Sequence, residues 1–341
     1  MKLVQREQVF FGYRTLKTAI GAAVAIFIAQ WLNLDFFAAA AIITVLCIRG
    51  TKKGSLRKAW ELFVASMTGL FFAVVIFEVL GYHPLSLAVL IVLFIPALLK
   101  LKAIDGIITS IVILLHIYTV GTVSFTILWN EFLLIVIGIT VGLIMNLYMP
   151  SLDDDIYEDQ IQLEEYFERI LKEYSKYLYN KDDDWDGKEL TAAGDLIKNG
   201  KAKALRAIDN HFLRHDDYFY HYFDMREKQF AILERILPFI STLDTTSEGK
   251  QMASFLRRLS DAVNPGNTAG HFLEELDMLR HTFSEHQLPK DHVEFMTRAS
   301  LFYIIHEMEA YLTIKQMFKP DENRTHMIKK KKKLKRKGVS S

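Results

Sequence analysis

The sequence predicts an all-α protein in two halves: a polytopic six-helix transmembrane bundle, then a water-soluble helical bundle. Three observations carry that reading. Composition changes abruptly along the 341 residues: 1–150 carry 11 Lys/Arg and 6 Asp/Glu amid Leu, Ile, Val, Phe, Ala and Gly, whereas 151–328 carry 22 Lys/Arg against 34 Asp/Glu. Apolar runs in the first half are broken only by short polar stretches, while apolar residues in the second recur at helical three-and-four spacing. No stretch alternates in the strand pattern. The near-neutral total of +1 therefore conceals unlike segments and says nothing about partners.

Six apolar segments stand in the first half: Thr18–Leu32, Phe36–Ile48, Trp60–Leu80, Pro84–Leu99, Gly106–Val120 and Phe132–Met149. A spanning helix needs about 20 apolar residues, with about 17 as the lower limit. The second segment is short, so the first two form either two spans or one re-entrant hairpin. Lys2, Arg6, Arg14 and Lys17 before the first segment resemble the start of a secretory signal, but further apolar segments follow, so it is expected to be a retained helix. All 11 basic residues lie before the first segment, in Arg49–Lys58 or in Lys100–Lys102. The turns Asn33–Asp35, Gly81–His83 and Gly121–Glu131 hold none. By the positive-inside rule both termini belong in the cytoplasm.

Within the bundle, Gly138 and Gly142 form a GxxxG pair that admits a close helix neighbour, from the same subunit or a second copy. Polar residues at depth cost enough that they tend to face a cavity or one another. Gln30, Asp35, Glu61, Glu78 and His116 are the candidates for a transport path, Glu78 and His116 foremost. Cys47 has no possible disulfide partner in the chain.

After Pro150, Ser151-Leu-Asp-Asp resembles a capping box opening a long amphipathic helix, with Asp153, Asp154 and Asp155 at its positive end. Stripes follow at Leu196–Phe212, at Tyr222–Leu237 (stopped by Pro238), at Met252–Val263 and at Phe272–Phe283, and a last helix is expected from Lys290 to Phe318. Asp182–Gly187 fits the first half of a calcium loop, but Ala193 stands where the bidentate Glu is required, so a solvated acidic turn is expected. His211, His215 and His221 lack a zinc-site glutamate. Gly194 to Lys201 is one residue too long for a phosphate loop, with Ala202 where Ser/Thr should be. No metal, cofactor, ATP motor or enzymatic residue set is predicted.

Residues 329–341 are expected to be a disordered polybasic tail. Lys329, Lys330, Lys331, Lys332, Lys333, Lys335, Arg336 and Lys337 would contribute up to about 1 kcal/mol each against an anionic leaflet. Lipid, not nucleic acid, is the expected partner.

Arg14-Thr-Leu-Lys-Thr-Ala-Ile-Gly-Ala-Ala-Val-Ala, the short second segment and the basic loop before Trp60 resemble the bacterial aromatic acid exporter family, related to fusaric acid resistance-type efflux proteins. Asn264-Pro-Gly-Asn-Thr-Ala-Gly-His-Phe-Leu-Glu-Glu-Leu-Asp, Leu288-Pro-Lys and Glu294-Phe-Met-Thr-Arg-Ala-Ser-Leu-Phe-Tyr resemble the C-terminal domain that accompanies family member 1. The resemblance spans about residues 10 to 318 and implies export of aromatic carboxylic acids; six segments, scattered intramembrane polar residues and no nucleotide motif make a gradient-driven exporter of small organic anions the expectation. Larger relatives carry two membrane blocks, so a homo-oligomer, a dimer foremost, is implied here. The competing reading is a non-transporting membrane anchor or sensor whose helical domain binds proteins.

Overall fold

A computed structural model describes residues 2–149, 152–181, 185–210, 217–264, 266, 269–285 and 287–318. Among them are twelve α-helices, a single 3-10 turn and no strand. The chain divides into two compact units, one built on Met1–Pro150, the other on Ser151–Ile208 with Asp216–Ser341.

The first unit holds α1 (Lys2–Trp31), α2 (Ala38–Cys47), α3 (Lys52–Leu80), α4 (Pro84–Lys100), the 3-10 turn Ile104–Gly106, α5 (Ile107–Val120) and α6 (Phe125–Leu147). Each predicted segment is thus a helix, but among the described residues only α3 and α6 are long and apolar enough to cross a membrane unaided; α2, α4 and Ile104–Val120 are apolar and shorter. Two starts lie earlier than the apolar runs suggest. The Thr51 side chain accepts from Gly54 N and starts α3 eight residues before Trp60, and Ser124 Oγ accepts from Ile127 N and starts α6 seven residues before Phe132. A capping hydroxyl satisfies an otherwise orphaned amide, so the helix begins at the cap, whatever the hydropathy of its first turns.

Large apolar side chains point both into and out of this unit. Leu62, Phe77, Leu90, Phe94, Leu114 and Ile135 are buried, whereas Phe27, Phe71, Val92, Ile108 and Ile144 are exposed. Gly138 and Gly142 lie against α2. A Cβ on Gly138 would sit 2.6 Å from Ile43 Cβ and 2.8 Å from Ala40 O, and one on Gly142 2.7 Å from Cys47 Cβ. Thr44 Oγ1 also donates to Gly138 O at 3.0 Å, so the two backbones are in direct contact.

The second unit comprises α7 (Asp153–Asn180), α8 (Lys188–Asn210), α9 (Tyr218–Thr242), α10 (Ser247–Asp261), α11 (Ala269–Glu285) and α12 (His292–Met317). Ser151 lies outside the described residues; Leu152 precedes α7 and makes no side-chain cap, and the three Asp residues fill the first turn. α9 runs through Pro238 to Thr242. The proline removes one backbone donor, but Ser241 and Thr242 hydroxyls return to Pro238 O and Ile240 is buried, so the stripe continues past it. Asp291 caps α12 by accepting from Glu294 N. The core gathers Phe167, Tyr174, Tyr222, Phe223, Phe255 and Ile304 from four of the helices, α7, α9, α10 and α12.

The rejected chemical motifs have structural places. Gly194 to Lys201 lies inside α8, with Gly200 against the Phe223 ring, and Lys201 ion-pairs with Asp224 and Glu227 at 2.7 and 2.6 Å. Those carboxylates hold its pKa well above the usual lysine value. Gly187 takes a left-handed φ of 70° before α8. Asp182–Asp184, His211, His215 and the whole basic run from Lys329 to Lys337 lie outside the described residues.

Candidate functional site

A buried acid and a histidine meet near one end of the first unit. α5 carries His116 one turn before its C-terminus, and α6 carries Glu131 in its second turn. His116 Nδ1 lies 3.2 Å from both Glu131 oxygens. The Glu131 side chain is 0% exposed and that of His116 16%. With Glu131 ionised, the shared hydrogen belongs on Nδ1, which leaves the Nε2 lone pair as an acceptor.

The turn between α1 and α2 covers this pair. Asp35 N donates to Asn130 Oδ1 at 2.8 Å, and Asn130 Nδ2 donates to Asp35 O at 3.0 Å and approaches Glu131 Oε1 at 3.4 Å. One carboxamide thus grips the turn and braces the carboxylate. Asn33 and Phe36 have φ of 51° and 55°, a left-handed conformation that costs a bulky residue about 1–3 kcal/mol. Its return is visible: the Phe36 ring stacks on His116, centroids 4.2 Å apart and planes within 6°. The imidazole is held between an aromatic face and a carboxylate, a geometry that fixes its orientation.

The predicted path residues separate. His116 is in the site. Asp35 joins it through its backbone, its side chain being exposed. Gln30 is exposed on α1, and Glu78 is exposed on α3. Glu61 lies toward the other end of α3, where it accepts from Arg57 Nε at 3.0 Å. Glu131 and Asn130 are the residues that sequence reasoning missed, because Gly121–Glu131 was expected to be a turn. The available signal was helix length: about 20 residues counted back from Leu147 begin the helix near residue 128, not 132.

At the opposite end, an open cleft of about 600 Å³ is lined by Arg49, Arg57, Lys58, Glu61, Lys102 and Asp105 with Gly54, Leu99 and Ile104. Lys58, itself buried, donates to Asp105 O at 2.6 Å and pairs with its carboxylate at 3.1 Å. Arg49 meets the same carboxylate at 3.2 Å. Beside it, Lys17 Nζ donates to Asn146 Oδ1 at 2.6 Å, and Asn146 Nδ2 donates to Ser55 Oγ at 2.6 Å. Among the described residues no group of three His, Cys, Asp or Glu could hold a metal.

Comparison with known proteins bears on this geometry. Residues 9–149 match aromatic acid exporter family member 1, and residues 153–316 match the putative aromatic acid exporter C-terminal domain. The chain is 46% identical over 309 residues to the uncharacterized protein YqjA of Bacillus subtilis, covering 90% of this chain and 96% of that one. A UPF0421 protein of Oceanobacillus iheyensis is 29% identical over 159 residues, 45% of this chain and 43% of its own. A crystal structure of a putative membrane protein from Clostridium difficile is 24% identical, with a TM-score of 0.43, over 47% of this chain and 96% of that one. With both halves matched in order and the Bacillus relative covered over 96% of its length, this chain belongs to aromatic acid exporter family member 1, a membership that points to a membrane protein.

Proposed function

We propose that this protein exports small organic acids, aromatic ones among them, from the bacterial cytoplasm, with a proton gradient as the driving force. The carrying observation is the His116–Glu131 pair: an ionisable couple, enclosed by helices, with room for one additional proton. Ionisable groups at membrane depth are costly, and proton relays are among the functions that keep them there. The six helices of the first unit are the transmembrane bundle in this reading, with the short ones completing their spans through flanking residues or local thinning of the bilayer. Exposed Phe27, Phe71, Val92 and Ile144 would then face lipid, and exposed Trp31 and Trp129 would sit at the outer boundary. In this reading the basic loops face the cytoplasm together with both termini and the second unit, and Lys329–Lys337 would meet an anionic inner leaflet. A homodimer would supply the doubled bundle that larger family members carry in one chain.

The test uses full-length protein in proteoliposomes loaded with benzoate, with a pH gradient imposed in either direction. Gradient-dependent benzoate efflux that is lost in Glu131→Gln supports the proposal. Wild-type efflux indifferent to the gradient, or no efflux of any aromatic acid, sinks it.

A further inference from the structure

We propose that the cationic cleft formed by the 49–61 and 99–105 segments is the cytoplasmic binding site for the exported anion, taking a carboxylate joined to an apolar body. The inference deepens the exporter reading and rests on it for the site's role.

The charge balance of the cleft favours an anion. Four cations, Arg49, Arg57, Lys58 and Lys102, line it against two carboxylates, Glu61 and Asp105. The ion pairs do not exhaust the donors. Arg57 commits Nε to Glu61, and Arg49 meets Asp105 through Nη2, which leaves further N–H groups on each guanidinium. Lys102 takes a left-handed φ of 55° at the turn and is exposed. Guanidinium and ammonium groups beside one another make the usual carboxylate receptor.

The cleft is built, not incidental. Its 99–105 wall is held against α3 by Gly106, where a Cβ would meet Ala65 Cβ at 2.3 Å and Glu61 O at 2.9 Å, so only glycine permits the approach. That approach places Asp105 over the buried Lys58 and fixes the spacing of the surrounding cations. Leu99 and Ile104, about half exposed at the rim, offer an apolar surface beside the charges. Further into the bundle are two buried hydroxyls without a hydrogen-bond partner, Ser66 Oγ and Thr109 Oγ1. Ser66 is five residues along α3 from Glu61, and Thr109 four residues along the chain from Asp105, about 6–8 Å at 1.5 Å per residue. Such orphaned groups are costly in an apolar interior unless something polar meets them. His116 lies about 15 Å beyond Gly106 along α5 by the same rise. The order along the bundle is therefore cations, hydroxyls, then the proton-handling pair.

Benzoate binding is measured by titration calorimetry on full-length protein in phosphatidylcholine nanodiscs, with benzyl alcohol as the neutral comparison. Arg57 and Lys102 are exposed, so the double variant Arg57→Gln/Lys102→Gln preserves the fold, and Arg57→Lys/Lys102→Arg preserves the charge. We expect wild type to bind benzoate and not benzyl alcohol, the Gln pair to weaken binding about tenfold or more, and the charge-keeping pair to retain it. Unchanged benzoate affinity in the Gln pair overturns the site and leaves the exporter reading standing. Binding that needs the cations, without efflux by wild-type proteoliposomes, keeps the site and removes the exporter reading. Lipid phosphate is the other source of anionic oxygens. If benzoate does not bind and the Gln pair instead loses retention of phosphatidylglycerol in mixed-lipid nanodiscs, the cleft is a headgroup site and the proposal is overturned.

Discussion

In the second unit the large apolar side chains gather mainly inward, as with buried Phe167, Tyr174, Phe255 and Ile304, and the outer faces mix ion pairs such as Lys181–Asp244 and Lys228–Asp224 with exposed apolar residues such as Leu288 and Met278. In the first, apolar side chains face both ways, and its described ion pairs outside the His116–Glu131 site gather in the cleft. A helix that buries one stripe against its neighbours needs water on the other side, whereas one that is apolar all round needs lipid or protein there. Both units bury charge nonetheless, by different means. The first buries an acid with a histidine under a stacked ring. The second buries Arg226 between the Phe167 and Tyr222 rings, 4.9 and 5.4 Å away, donating to Tyr222 OH and Gln229 Oε1. Tyr222 in turn donates to Glu164 at 3.2 Å. We read the first cluster as one that must exchange a proton and the second as one that must not.

The largest effect should separate the two clusters. Glu131→Gln, which keeps the shape and hydrogen-bonding capacity of the buried side chain, should reduce gradient-driven efflux to background while the unfolding temperature in detergent stays near wild type. Arg226→Leu should do the reverse: removing one partner from a buried polar network costs about 3–5 kcal/mol, read as a loss of denaturant resistance in the second unit, where Trp185 packs on Tyr174 and reports by fluorescence.

That contrast also marks what was legible in sequence. His116 stood out as a lone polar residue in an apolar run. Glu131 did not, because Trp129-Asn-Glu interrupts hydropathy in the manner of a turn. Only the cap at Ser124 and the docking of the α1–α2 turn on Asn130 show it to be inside a helix. Arg226 looked like one charge among many on a charged helix, since its burial depends on α7 and α12 closing over it.

A pH dependence sharpens the comparison. Burial, with Arg226 nearby, brings the Lys315 pKa down to about 7 from 10.5, and its Nζ donates to Asn264 O. Between those values the unfolded chain binds a proton that the fold does not, so stability of the second unit should climb from pH 7 toward pH 10. Lys315→Met should flatten that climb in urea titrations across the range.

Smaller effects follow from close packing. Gly138→Ala and Gly200→Ala each put a Cβ within 2.6 Å of a neighbour, Ile43 Cβ in one unit and the Phe223 ring in the other. Each should cost about 1–3 kcal/mol by overpacking, visible as a lowered melting temperature. The least is Asp291→Ala, which removes the α12 cap for about 1 kcal/mol.

By itself the amino-acid sequence determined the helical class, the division near residue 150 and the asymmetry of the basic loops, because hydropathy, helical periodicity and charge placement are properties of neighbours in the chain. The tertiary structure alone decided that His116 pairs with Glu131 rather than approaching Glu78, that Gly138 and Gly142 serve α2, and that Arg49, Arg57, Lys58 and Lys102 share one cleft. Each of those relations joins segments far apart in the chain, by 15 positions for His116 and Glu131 and 95 for Ile43 and Gly138, and no local preference fixes the distance between them. Packing does, once a capped helix start or a glycine contact sets which faces meet.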